Sequence, residues 1–66
     1  MLTLETAIEY VETALARHDD VYVVIGAAHA DYDGVQTVDV SFADSNGAHE
    51  GVFTVWARDG ALYGEW

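Results

Sequence analysis

Three dipeptides, Asp33-Gly34, Asn46-Gly47 and Asp59-Gly60, each separate runs of β-branched and aromatic residues, and they limit what this chain can fold into. Each suits a two-residue type I′ hairpin turn, whose two central positions both need positive φ. Three such turns predict four antiparallel strands, and a two-residue turn fixes the pairing on either side of it. Asn46-Gly47 sets Val40 opposite Phe53 and Val38 opposite Val55. Asp59-Gly60 sets Ala57 opposite Leu62 and Phe53 opposite Trp66, while Asp33-Gly34 sets Ala27 opposite Val40 and Ile25 opposite Phe42.

Side chains alternate along a strand, so the three turns must agree about which residues share a face. They do. One face collects Val21, Val23, Ile25, Ala27, Val38, Val40, Phe42, Phe53, Val55, Leu62 and Trp66, the expected core. The other carries Tyr22, Val24, Thr37, Asp39, Ser41, Val52, Thr54, Trp56, Tyr63 and Glu65. A face mixing aromatics with acids is not expected to be given wholly to solvent. Tyr22, Trp56 and Tyr63 are candidates for a partner or homodimer interface, because aromatics with a polar tip are enriched at binding hot spots. Cross-strand pairs that only stabilise the sheet are the alternative reading.

Ahead of the strands, Leu4, Ala7, Ile8, Val11, Ala14 and Leu15 recur at spacings of three and four, which predicts an amphipathic helix over residues 4 to 18. Thr3 suits its N-cap and Glu5 its first turn, while Arg17 and His18 suit the negative C-terminal end. The expected architecture is α+β: one N-terminal helix packed on a four-stranded antiparallel meander sheet, order 1-2-3-4, as a single domain over residues 1–66. There is no linker, internal repeat or low-complexity segment.

A chain of 66 residues without cysteine has only packing, hydrogen bonding and dimerisation to stabilise it. Its 52% hydrophobic content excludes a disordered acidic tail, which lacks the apolar surface to offset chain entropy. Twelve Asp and Glu stand against two Arg and no Lys, a formal net charge of −10. That field repels nucleic acid and membranes and speeds encounter with basic surfaces. The expected partner is therefore a basic nucleic-acid-binding protein, with no direct binding of nucleic acid and no membrane association. The first residues lack a basic region followed by an apolar one, and no run of eighteen apolar residues occurs, so the expected location is cytoplasmic.

The acids themselves are the first candidate site. Glu5, Glu9 and Glu12 form a stripe on the helix, with neighbours four apart separated by about 6 Å. Asp19, Asp20, Asp31, Asp33, Asp39, Asp44 and Glu50 are the further charges available to it. Duplex DNA carries one charge per about 1.7 Å of axis, and a rigid body bearing carboxylates could occupy a groove shaped to that field. A salt-adapted, solvated surface on a small interaction module accounts for the same composition.

Other chemistries find little purchase. His29, Asp31 and Asp33 lie close around one turn, and Asp44 with Asn46 around another, but neither continues into a twelve-residue calcium loop. His18 suits the helix end, and His49 falls opposite Asp44 as a surface ion pair. Ser41 and Ser45 lack the motif of an activated nucleophile, and no glycine-rich phosphate loop is present. The expectation is a protein that is not an enzyme and uses no cofactor.

In size, charge and one-helix-plus-sheet form, the chain resembles the small acidic phage proteins that inhibit CRISPR surveillance complexes, some of which act as DNA mimics. That resemblance implies an inhibitor whose Glu5, Glu9, Glu12 and neighbouring loop acids engage the basic groove in which an effector subunit reads target DNA. The segments Leu4-Glu5-Thr6-Ala7-Ile8, Val38-Asp39-Val40, Phe53-Thr54-Val55-Trp56-Ala57 and Asp59-Gly60-Ala61-Leu62 are also similar to PepSY-type domains. This second resemblance implies a helix followed by a short antiparallel sheet, with an inhibitory or regulatory role.

Overall fold

The computed structural model describes residues 2–17, 21–47 and 50–66. Helix α1 (Leu4–Leu15) precedes strands β1 (Tyr22–Tyr32), β2 (Val35–Asp44), β3 (Glu50–Arg58) and β4 (Ala61–Glu65). The strands pair antiparallel in the order β1-β2-β3-β4, and α1 packs on one face of the sheet, as the turn and helix patterns require.

Thr3 caps α1 from an extended conformation, and its Oγ1 accepts a hydrogen bond from the Thr6 N–H at 3.1 Å. The helix ends sooner than expected. Ala16 is its C-cap, with its N–H donating to Glu12 O at 3.0 Å, so Arg17 lies past the last turn and gives the helix dipole no cation there. His18 lies outside the described residues. Ala7, Val11 and Leu15, one row along the helix, are buried, whereas Leu4 is exposed.

Asp33 and Gly34 (φ 53° and 82°) and Asp59 and Gly60 (φ 51° and 79°) adopt the paired positive φ of type I′ turns. The middle turn differs. Only Gly47 (φ 72°) of its dipeptide is left-handed; its N–H donates to Asp44 O at 3.0 Å, and Asp44 Oδ1 accepts from the Asn46 N–H at 3.1 Å. The turn is nevertheless centred where the sequence puts it, and β2 and β3 pair as expected, Val40 with Phe53 and Val38 with Val55. Ala57 pairs with Leu62, but the β3–β4 ladder stops at Thr54 and Glu65, one step short of the expected Phe53–Trp66 pair.

The first strand departs from expectation halfway along. Ala27 pairs with Val40, but the register then shifts, and Val24 rather than Ile25 lies opposite Phe42. Ile25 is the extra residue of a β-bulge, and one extra residue exchanges the faces of everything before it. Val21, Val23 and Ile25, expected in the core, are 68%, 54% and 62% exposed, while Tyr22 and Val24 pack against the core. Tyr22 meets the rings of Phe42 and Trp66 edge-on, at centroid distances of 5.4 and 5.5 Å. Such pairs contribute about 0.5–1.5 kcal/mol beyond their burial.

The core consists of Val38, Val40, Phe42, Phe53 and Val55 from the sheet with Ala7, Val11 and Leu15 from α1. Gly64 is part of this packing. A Cβ there would lie 2.5 Å from the Tyr10 ring and against Phe53, whose rings meet edge-on at 6.1 Å above it. Trp66, also expected in the core, contacts Phe42 at 4.7 Å but stays exposed, because it lies past the end of β4 with no strand beyond it.

Candidate functional site: the open sheet face

Among the described residues, no second layer covers the face of the sheet away from α1. Cross-strand partners share a face, so the register groups its side chains into rungs. Ala30, Thr37, Trp56 and Tyr63 form one rung, and Ala28, Asp39, Thr54 and Glu65 the next. Trp56 and Tyr63 stack, with centroids 6.2 Å apart and ring planes 20° from parallel. A groove of about 850 Å³ opens here, bordered by Tyr32, Val35, Val52, Trp56, Arg58 and Glu65.

Asp39 organises the polar part of this face. Its Oδ2 accepts from the Tyr32 hydroxyl at 2.8 Å and its Oδ1 from the Thr54 hydroxyl at 3.0 Å. The first of these bonds holds the Tyr32 phenol above its ordinary 10.0: the hydrogen bond to Asp39 and the charge of that carboxylate both favour the protonated phenol. Tyr32 sits on the Val35 rung, so to reach Asp39 its ring extends over the Thr37 rung between them. Thr37, on that rung, is only 4% exposed, and Ala43, in step with it along β2, is 6% exposed. The Thr37 Oγ1 is buried with no hydrogen-bond partner among the described residues.

Of the three aromatics assigned to this face from sequence, the structure brings Trp56 and Tyr63 together there. Tyr22 is a correction, because the bulge turns it to the helix side. Val21, Val23 and Ile25 take its place and make the open face more apolar than expected. A signal for this existed in the sequence: Gly26 stands inside the strand, and an isolated strand glycine often marks a bulge.

The acids do not gather into one surface. Glu5, Glu9 and Glu12 are exposed along α1. Asp31, Asp33 and Asp59 lie at the end of the sheet that holds the β1–β2 and β3–β4 turns, and Asp44 and Glu50 lie at the other. Asp39 faces away from the helix stripe. Asp31 Oδ1 is engaged by the Gly34 N–H at 3.0 Å. Asp19 and Asp20 lie outside the described residues, as does His49 with its expected pairing to Asp44. His29 lies beside Asp31 in β1, but among the described residues no three His, Asp or Glu side chains come together in a way that could hold a metal ion.

No described helix is long and apolar enough to cross a membrane. Compared with known proteins, the chain matches no family model, no curated protein and no solved structure, so neither resemblance drawn from its sequence gains support.

Proposed function

We propose that this chain is a non-enzymatic interaction module that binds an apolar protein surface through its open sheet face, with the acidic helix and turns kept toward solvent. One observation carries the reading. A two-layer α/β unit normally leaves polar residues on the uncovered side of its sheet, whereas here Val21, Val23, Ile25, Tyr32, Val35, Val52 and Tyr63 are all between 45% and 68% exposed. An apolar face of that extent on a small protein marks a binding surface.

A second reading follows from α1. Glu5, Glu9 and Glu12 are exposed, and among the described residues no cation pairs with them, so the stripe is available to a basic groove that otherwise holds nucleic acid. An anti-CRISPR inhibitor is one form this reading takes, and a regulatory role of the PepSY kind would use the same non-enzymatic binding.

A single experiment separates the two. Tagged protein is used to capture partners from extracts of its own cells, comparing wild type with Val52→Glu, Trp56→Ala and the triple Glu5→Gln, Glu9→Gln, Glu12→Gln variant. Loss of the partner with the first two and retention with the third is the outcome expected for the sheet face. The reverse pattern, with duplex DNA displacing the partner, assigns binding to the helix stripe instead.

A further inference from the structure

We infer that the occupant of the open sheet face is a second copy of this chain, packed back to back about a two-fold axis that runs across the strands along the Thr37–Trp56–Tyr63 rung. This rests on the reading of the face as a binding surface and names its partner.

The placement of charge on the face points to it. Arg58 and Glu65 both border the groove, and both point away from α1, in step with Trp56 and with Thr54 respectively. Arg58 pairs with Ala61 and Thr54 with Glu65, so the two charges stand four residues apart along the sheet, about 13 Å at ~3.3 Å per residue. They are too far apart to pair within one copy. The point midway between them is the level of the Trp56–Tyr63 pair. A two-fold axis through that level, lying in the interface, brings Arg58 of each copy onto Glu65 of the other, forming both ion pairs at once. Trp56 and Tyr63 then lie on the axis and meet their own counterparts.

The geometry agrees with sheet packing. Arg58 and Glu65 are offset by one strand, ~4.8 Å, which tilts the axis by roughly 20° and makes the two sets of strands cross at roughly 40°, close to the ~30° of aligned sandwiches. The area sets the strength of the contact. Four strands at ~4.8 Å and a β3 of nine residues present a face of about 19 by 30 Å, a flat projection of roughly 570 Å². That lies below the about 800 Å² per partner of a standard interface, so the dimer expected is a weak, concentration-dependent one.

The acids of the two helices do not oppose this arrangement strongly. With layers about 10 Å apart, the two helices lie outermost and their Glu stripes are separated by about 30 Å, several times the ~8 Å screening length at physiological salt. The axis does set the Asp31, Asp33 and Asp59 end of one copy over the Asp44 and Glu50 end of the other, so salt should tighten the dimer. Asp39 enters the interface with both oxygens already bonded within its own chain, which limits the cost of covering it.

Sedimentation equilibrium from micromolar to millimolar protein tests the inference, at low salt and in molar KCl. The expected result is a monomer–dimer equilibrium that shifts toward dimer in KCl. At low salt Arg58→Glu and Glu65→Arg should each weaken it roughly tenfold or more, and the double exchange should restore it, since both charges are exposed and both pairs break together. A dimer indifferent to these charges would overturn the inference by placing the contact elsewhere, such as the β1 edge. A monomer throughout, whose captured partner is still lost with Val52→Glu, would overturn the second copy while leaving the face as a binding surface. A monomer whose capture is indifferent to Val52→Glu would overturn both.

Discussion

Both faces of this sheet carry valines, and those valines differ in what covers them. On the helix side Val38, Val40 and Val55 are fully buried, and on the other Val23, Val35 and Val52 are about half exposed. Valine is a good strand residue on either side, so local propensity does not separate the faces. The difference lies in α1, which supplies Ala7, Val11 and Leu15 to one face only. The same residue type therefore stabilises the fold on one side and remains exposed on the other.

Substitutions can break this comparison. The largest effect is expected from Phe42→Ala, which removes a ring 1% exposed that contacts Tyr22 and Trp66 and should cost about 3–5 kcal/mol. Val52→Ala, on the open face, should stay within about 0.5 kcal/mol. Urea unfolding followed by circular dichroism measures both, at protein concentrations low enough to keep self-association out of the comparison. A cost above 2 kcal/mol for Val52→Ala, on the order of a buried position, would mean that the open face is covered in the isolated chain.

The glycines give a second contrast. Gly64→Ala forces a Cβ against Tyr10 and Phe53 and should destabilise by about 1–3 kcal/mol. Gly26→Ala meets nothing within 4 Å and should be neutral or stabilise by up to about 1 kcal/mol. The same unfolding curves rank the pair, and reversal of that order would contradict the packing described for β1 and β4.

A smaller effect belongs to Thr37, a buried polar residue of the open face. Thr37→Val keeps the shape and removes a hydroxyl with no partner among the described residues, so it should leave stability unchanged or raise it by about 1 kcal/mol. A loss of more than that would show that the hydroxyl is bonded in solution.

The smallest expected effect is on titration. The Tyr32 phenol is held above its ordinary 10.0 in the folded chain because Asp39 accepts a hydrogen bond from its hydroxyl and repels the phenolate. A raised folded value means that the stabilisation is present in full below 10.0 and is lost as pH rises through the folded value. Tyrosinate absorbance, differenced against Tyr32→Phe, should show this shift in wild type and a return toward 10.0 in Asp39→Ala. No difference between the two would remove Asp39 as its cause.

Much of this fold was legible before any coordinates. The turn dipeptides placed the strands, the alternation around them paired β2 with β3 and most of β3 with β4, and the helical stripe marked α1 together with its Thr3 cap. These features are local: a residue that needs positive φ, or a spacing of two or of three and four, is written within a few positions of where it acts. Trp56 and Tyr63 were legible as a pair on the open face for the same reason. The Asp39 contact with Tyr32 was not, because it joins residues on different rungs and depends on how far one ring reaches.

The first half of β1 is where local pattern stops being sufficient. Val21, Tyr22, Val23, Val24 and Ile25 are apolar at every position, so alternation carries no contrast and either face could turn inward. The choice falls to contacts distant in the chain, the edge-on meeting of Tyr22 with Phe42 and Trp66, and it is reached by inserting Ile25 as a bulge beside Gly26. Local pattern fixed where the strands lie and how most of them pair. Gly26 marks locally where a bulge can form, but long-range ring packing goes with the side of the first strand that faces inward, and so with how apolar the open face became.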